Sequence, residues 1–277
     1  MGKDFKQLLF FSDTHVWSSE RNARRSRIRI VNAPRSGKLG THGRKRELER
    51  LCSLLAANYD PSKWVILVTG DIVEGGLQNS TRSKEYRNAK EALMPLAQAH
   101  FEVQLVPGNH DYGPFGNRFN RNAYDRYRAL HKDICGYDIT FPHIQDYGNW
   151  RLILLDSTAH NERGQLYARG RIGTEQLRFL SIQLRNNKPA VIAMHHHPVM
   201  RRWTQHFLQV VDGKDLMAEI AVAQCPVTIC CGHKHVKDLA FRHTGNLRGI
   251  AADKSTDSFT VIEVCPVSQE ARAVELA

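Results

Sequence analysis

No apolar run in this 277-residue chain approaches the roughly 20 residues needed to span a bilayer. Leu8 to Phe11 is too short for a signal-peptide core, and acidic Asp13 follows it almost at once. Gly2 stands after Met1, but Lys6 occupies the place where a myristoylation signal wants Ser or Thr. Low-complexity tracts, internal repeats, linkers and breaks in composition are all lacking. With 42% hydrophobic residues the chain can bury a large core, and one domain over 1–277 is the simplest reading. Cysteine is sparse. The six (Cys52, Cys135, Cys225, Cys230, Cys231, Cys265) contain no Cys-x-x-Cys pair, and most sit in apolar context as small core residues. A reducing compartment, and so a cytoplasmic protein, is expected.

Aromatic residues are missing from the most basic part of the chain. Arg21, Arg24, Arg25, Arg27, Arg29, Arg35, Lys38, Arg44, Lys45, Arg46 and Arg50 carry much of the net +11. A field of that sign steers anionic partners, nucleic acid among them. Without interleaved rings, a base-stacking surface is disfavoured. The segment 18–43 has little periodicity and turn signals at Ala33-Pro34 and Ser36-Gly37. It reads as a basic insertion, either a solvated loop or a lid over a site.

What is present is an alternation of strands and helices. Gln7–Phe11, Trp64–Thr69, Phe101–Val106, Trp150–Leu155, Ala190–Met194 and Val227–Cys231 read as buried strands. Helices are expected over Arg44–Asn58, with Leu48, Leu51, Leu54 and Leu55 on one face, and over Ser83–Ala99, with a wrinkle at Pro95. Others follow over Asn120–Lys132, from Gly173-Thr174 to about Asn186 with Thr174 as N-cap, and over Asp215–Ala223. Leu239–Arg242, Leu247–Ala251 and Phe259–Val264 read as short antiparallel strands. The alternation argues for an α/β layered fold with helices on both faces.

Five of the strands end in metal-binding side chains. They close on Asp13-x-His15, Asp71, Asn109-His110-Asp111, His195-His196-His197 and His233-x-His235. In open α/β sheets, sites form at the carboxyl ends of strands. Residues two apart in an extended segment point the same way, so Asp13 with His15, and His233 with His235, can each aim two ligands at one place. A single His at a strand end is usually a core or surface residue, and Asp after Gly is often a turn. Five strand ends agreeing is what carries the reading. Carboxylate, imidazole and amide oxygen without thiolate suit Mn, Fe, Zn or Co.

The ordered blocks Asp13-x-His15, Gly70-Asp71, Gly108-Asn109-His110-Asp111, His195 to His197 and Gly232-His233-Lys234-His235 resemble those of the calcineurin-like metallophosphoesterases. The resemblance implies a four-layer α/β/β/α sandwich of two mixed sheets flanked by helices. It implies two divalent metal ions, one held by Asp13, His15, Asp71 and His235, the other by Asp71, Asn109, His196 and His233, with Asp71 bridging. The family ligand in the fourth block commonly stands two residues before a proline, and Pro198 selects His196 on that rule. His195 and His197 are then second contacts, substrate contacts or fillers. His110 is the implied donor to the phosphate or leaving group, with Asp111 orienting it. Two divalent cations, two carboxylates and a bridging hydroxide leave one positive charge facing a phosphate ester.

The substrate is less constrained. Ile72-Val73-Glu74-Gly75-Gly76 lacks the Asp-Arg-Gly of the Ser/Thr phosphatase branch, and His110 stands where the lipid A pyrophosphatase branch tends to carry Arg. His195-His196-His197-Pro198 is similar to the class III cyclic-nucleotide and glycerophosphodiester branch. A phosphodiesterase acting on a small anionic phosphodiester, such as a cyclic nucleotide, is the leading expectation. A nuclease, a phosphomonoesterase and a metal-bearing scaffold without turnover are the alternatives.

Overall fold

The computed structural model describes residues 6–16, 45–75, 79–112, 122–158, 169–199, 209–235, 238–244, 247–251 and 261–274. The basic segment 18–43 lies outside them, as do His42, His160 and His206.

The chain builds two mixed sheets. Strands β1 (Gln7–Phe11), β2 (Trp64–Thr69) and β3 (Glu102–Val106) are mutually parallel. β10 (Val261–Cys265) and β11 (Glu270–Val274) add an antiparallel hairpin on the β1 side, giving the order β11-β10-β1-β2-β3. The crossovers that parallel pairing demands are helices: α1 (Lys45–Asn58) precedes β2, and α2 (Asn79–Gln98) precedes β3. In β2 every residue after Trp64 is buried. That unbroken apolar run marks a strand covered on both faces, each large aliphatic side chain contributing about 1.5–3 kcal/mol.

The second sheet has the order β4-β5-β6-β7-β9-β8. Its middle is parallel, from β5 (Arg151–Leu154) and β6 (Ala190–Ala193) through β7 (Val227–Cys231) to β9 (Leu247–Ala251). The edges β4 (His143–Asp146) and β8 (Asp238–Thr244) run antiparallel to their neighbours. Side chains alternate across this sheet. Leu152, Leu154, Val191, Ala193 and Cys230 join the core shared with the first sheet, whereas Ile153, Leu155, Ile192, Met194 and Cys231 join a second core. Leu180 and Leu184 of α4 (Thr174–Leu184) and Leu216 and Ile220 of α5 (Gly213–Ala221) complete that second core. On the far side, α1, α2 and α3 (Ala123–Cys135) cover the first sheet. The result is the expected α/β/β/α sandwich.

Several expectations need correction. The α1 stripe is Leu48, Leu51, Cys52 and Leu55, with Leu54 turned half outward. α2 begins at Asn79 rather than Ser83, and α3 runs from Ala123 to Cys135, three residues later than expected at each end. Gly136 ends α3 in the left-handed region at φ 85°, donating to the Lys132 carbonyl. Thr174 is the first helical residue of α4, not its cap. The cap is Gly173, and the Asp212 carboxylate from a distant segment takes the N–H groups of Ile172 and Gly173. β9 pairs parallel to β7, and β4 and β11 were not anticipated. No helix of the described residues is long and apolar enough to cross a membrane.

Candidate metal centre

The carboxyl ends of β1, β2 and β3 in one sheet, and of β5, β6 and β7 in the other, open onto the same side of the sandwich. Backbone bonds lock the loops together there. The N–H groups of Asp13, His15 and Val16 donate to the carbonyls of Gly70, Asp71 and Ile72, and Gly232 donates to His195. The two sheets are then tied to each other by the side chains. The His233 N–H donates to both oxygens of Asp13 at 3.1 and 3.0 Å, and His195 Nδ1 lies 2.8 Å from the Thr69 carbonyl.

These loops carry unusual backbone. Seven described non-glycine residues have positive φ, and five are Asp13, His15, Asp71, His233 and His235. L-residues reach that region at a cost, so its concentration on one constellation marks a site where the fold enforces side-chain direction. Two glycines allow the loops to meet. A Cβ at Gly108 would stand 2.2 Å from Asp71 Oδ1, and one at Gly232 would stand 2.3 Å from Asp13 Oδ2.

Asp13, His15, Asp71 and His235 form the first cluster. His15 Nε2 and His235 Nε2 are 3.2 Å apart, with Asp13 Oδ1 3.2 Å from His235 Nε2 and Asp71 Oδ2 3.6 Å from His15 Nε2. Burial lowers the His15 ring to about 4, against the pull of Glu74, so it is a neutral donor at neutral pH. His235 is the outermost member, with 47% of its side chain exposed.

His195, His196 and His233 form the second cluster. His195 Nε2 lies 3.3 Å from Asp71 Oδ2 and 3.1 Å from His233 Nδ1. Asp71 therefore reaches from the first cluster to the second. Burial alone would raise its carboxyl, but the rings of His195, His110 and His15 hold it well below the usual range. Burial lowers His233 to about 3, whereas Asp71 lifts His195 to about 9 in spite of burial.

Asn109 is buried, and its Oδ1 has no hydrogen-bond partner among the described residues. Gly108 packs on the Asp71 carboxylate, and the His110 N–H donates to Asp71 Oδ1 at 2.9 Å. Asn109 sits between them in the chain, so its backbone runs past the shared carboxylate, and its side-chain oxygen is buried without a partner. An orphaned buried oxygen is costly unless something satisfies it. That orphan, and two imidazole nitrogens facing each other across carboxylates, are what a divalent cation would complete.

Three residues behave differently from expectation. Asp111 does not orient His110. Its Oδ1 accepts from the N–H groups of Ile72 and Val73 and its Oδ2 from that of Gly108, so it ties the β2 loop to the β3 loop. Burial and then Asp71 raise this carboxyl to about 7. His110 is instead held by the Glu74 carbonyl, 2.7 Å from its Nδ1, leaving half-buried Nε2 4.0 Å from Asp71 Oδ2. Of the two buried rings before His197, His195 is the one whose Nε2 meets Asp71. His196 turns Nδ1 to Ser157 Oγ at 3.0 Å. His197 is buried beside them, its backbone carbonyl accepting from Val210.

Glu74 and Ser157 were missed. Glu74 Oε2 approaches His15 Nδ1 to 3.1 Å, a carboxylate backing a candidate ligand ring. The only signal for it is its place three residues after Asp71. Ser157 follows β5 as one more strand end, but a lone Ser carries no signature.

Comparison with known proteins agrees with this geometry. Residues 6–237 match the family model for calcineurin-like phosphoesterases. A probable cyclic nucleotide phosphodiesterase of Psychrobacter sp. (strain PRwf-1) is 25% identical over 66% of this chain and 50% of its own length. A second protein of that description, from Colwellia psychrerythraea, is 25% identical over 66% of this chain and 59% of its own length. The chain thus spans about half the length of the curated relatives it matches. The crystal structure of 5'-nucleotidase from Candida albicans SC5314 superposes over 99% of this chain and 52% of its own at a TM-score of 0.51 and 12% identity, a likeness of fold. Strand order, the shared carboxylate and a family match over most of the sequence converge, and the chain belongs to the calcineurin-like phosphoesterase family.

Proposed function

We propose that this protein is a metal-dependent phosphodiesterase acting on a small phosphodiester of the cyclic-nucleotide class. The observation that carries the reading is Asp71 Oδ2 reaching a ring of each cluster, His15 Nε2 at 3.6 Å and His195 Nε2 at 3.3 Å. Asp13, His15, Asp71 and His235 would hold one divalent cation. Asp71, Asn109, His195 and His233 would hold a second, with His195 taking the place first expected of His196. Bound divalent ions would supply Lewis-acid polarisation of a phosphoryl oxygen and activation of water near neutral pH.

The chain's own groups do the rest. Asp13 and Asp71 leave net positive charge in the site, because Asn109 and the neutral rings of His15 and His233 cancel none of it. His110 is the proton donor. A carbonyl can only accept, so the Glu74 contact fixes a proton on Nδ1 and leaves Nε2 4.0 Å from Asp71 Oδ2. Burial would lower this ring, but Asp71 and Glu74 raise it overall, which favours a protonated Nε2 able to stabilise a phosphate oxygen or protonate the leaving alkoxide. Asp111 keeps the loop carrying Asn109 and His110 in register with Asp71.

The diester preference is supported by two relatives that are probable cyclic nucleotide phosphodiesterases and by the similarity of the His195–Pro198 block to cyclic-nucleotide enzymes. The six cysteines, all free, support a reducing, cytoplasmic setting. The core common to both sheets supports a single domain. The test is a substrate panel on the manganese-loaded protein, comparing bis-p-nitrophenyl phosphate, p-nitrophenyl phosphate, cyclic nucleotides and a labelled single-stranded oligonucleotide. Preferential turnover of small diesters is expected. A clear monoester preference, or cleavage of the oligonucleotide alone, would overturn the substrate class.

A further inference from the structure

Five strand ends carry the candidate ligands. A sixth, that of β5, runs into Asp156-Ser157, which belong to neither cluster. We propose that Asp156 and Tyr112 are positioning residues, a tie between the two sheets that sets how Asn109 stands to His195. This rests on the reading of Asp71, Asn109, His195 and His233 as a cation site.

Asn109 follows a strand of the first sheet and His195 a strand of the second, and a continuous chain of contacts joins them. Tyr112 stands three residues after Asn109, and its hydroxyl donates to Asp156 Oδ2 at 3.3 Å. The next residue, Ser157, accepts the backbone N–H groups of His195 and His196 on Oγ at 3.2 and 3.1 Å. Both ends of the tie are buried and held. The Tyr112 ring packs against those of Tyr124 and Tyr127 at 6.0 and 6.1 Å, and the Asp111 carbonyl just before it accepts from the Tyr86 hydroxyl at 2.7 Å. Asp156 Oδ1 takes the N–H and the hydroxyl of Thr158 at 2.8 and 2.6 Å. The Gln176 side chain of α4 clamps the Asp156 backbone, accepting from its N–H at 2.9 Å and donating to its carbonyl at 2.7 Å.

The His233–Asp13 and His195–Thr69 bonds hold the β1 and β2 ends to the second sheet. Tyr112 extends that hold to the loop after β3. Ligands that converge on one cation must be kept within about 0.5 Å of their working geometry. Loss of the Tyr112 hydroxyl strips a buried carboxylate oxygen of its donor and frees the β3 loop to shift against β5. The damage is selective. Asp13, His15, Asp71 and His235 follow β1, β2 and β7, so the first cluster draws nothing from the β3 loop, whereas the second cation needs Asn109 from it.

Three measurements on Tyr112→Phe test this: zinc titration against a competing chelator, manganese-dependent turnover of bis-p-nitrophenyl phosphate, and urea unfolding of the metal-free protein. Tyr127→Phe is the control, since Tyr127 also donates a buried hydroxyl, to the Leu105 carbonyl at 2.8 Å, but stands outside the chain of contacts. Tyr112→Phe should weaken one of two zinc equivalents about ten- to a hundredfold and spare the other, as loss of support behind a ligand does. Its turnover should need correspondingly more manganese and reach the wild-type level at saturation. Tyr127→Phe should lose stability with both zinc affinities unchanged. In metal-free protein, the double variant Tyr112→Phe/Asp156→Ala should lose less stability than the sum of the single losses. Unchanged zinc affinities in Tyr112→Phe, equal weakening of both equivalents, the same weakening in Tyr127→Phe, turnover that saturating manganese does not restore, or additive stability losses would each overturn the inference. If the wild type binds no zinc at all, the proposed function fails, while the metal-free unfolding still decides whether Tyr112 and Asp156 tie the sheets.

Discussion

At the scale of single residues, the site divides into groups that hold and groups that act. Asn109 and His110 are neighbours with different jobs: Asn109 presents an orphaned buried oxygen, and His110 presents a half-buried ring steered by the Glu74 carbonyl. His110→Ala should keep its metal content and lose roughly 10²–10⁴ in kcat, the usual contribution of a positioned proton donor. Asn109→Ala should lose one metal equivalent instead. Metal analysis and kinetics on the two purified variants separate these outcomes, and full activity in His110→Ala would remove its role. The candidate ligands were largely legible in the sequence because Asp13-x-His15, Gly70-Asp71 and His233-x-His235 state their chemistry locally. The choice within His195–His197 was not, because only the fold shows which of these rings meets Asp71. Glu74 escaped for a like reason, since its contact to His15 crosses between loops. The expected Asp111–His110 pairing failed because three backbone N–H groups claim that carboxylate first.

At the scale of elements, the site exists because two sheets bring their strand ends together. Gly232, closing β7, is the tightest point of that meeting: a Cβ there would lie 1.9 Å from Ser12 Oγ and 2.3 Å from Asp13 Oδ2. Gly232→Ala must push the end of β1 away and drag the Asp13 carboxylate out of its cluster. The expected result is loss of the metal equivalent held by Asp13, with a destabilisation of about 1–3 kcal/mol, typical of overpacking. Metal content and urea unfolding measure the two together, and a variant with full metal content would show that the two strand ends are not held in this register. The buried strands were readable to within a residue or so, β1, β2 and β7 to their termini, since short, mostly apolar runs closed by polar strand ends and separated by helical periodicity favour strands. The short edge strands β4 and β11 were not, because their half-buried and exposed residues make pairings that no local pattern announces. Thr174 looked like a cap because nothing local shows that Asp212, 38 residues further along, takes the N–H groups of Ile172 and Gly173 where the helix begins.

For the whole molecule, stability against acid has a readable source outside the site. His131 of α3 is buried, donates from Nδ1 to the Tyr137 carbonyl and packs edge-on against the Tyr137 ring at 4.8 Å. Burial lowers it from 6.5 to about 4. As pH falls, the unfolded chain takes up this proton first, so the stability of the neutral buried ring is complete above about 6.5 and is lost as pH falls toward 4. At about 1.4 kcal/mol per unit, the loss between pH 6.5 and 4.5 is on the order of 2–3 kcal/mol. Urea unfolding of wild type and His131→Gln at pH 7 and 4.5 should show a smaller acid loss in the variant, and equal losses would assign the effect elsewhere. The proposed function requires Asp71, which contacts His15 and His195, to serve two cations at once. The most direct measurement titrates manganese into chelator-treated protein while following bis-p-nitrophenyl phosphate turnover, with Asp71→Asn alongside. Turnover should stay near background through the first equivalent, rise with the second and be lost in Asp71→Asn. Full turnover in the presence of chelator, or at one equivalent, or retained in Asp71→Asn, would contradict it.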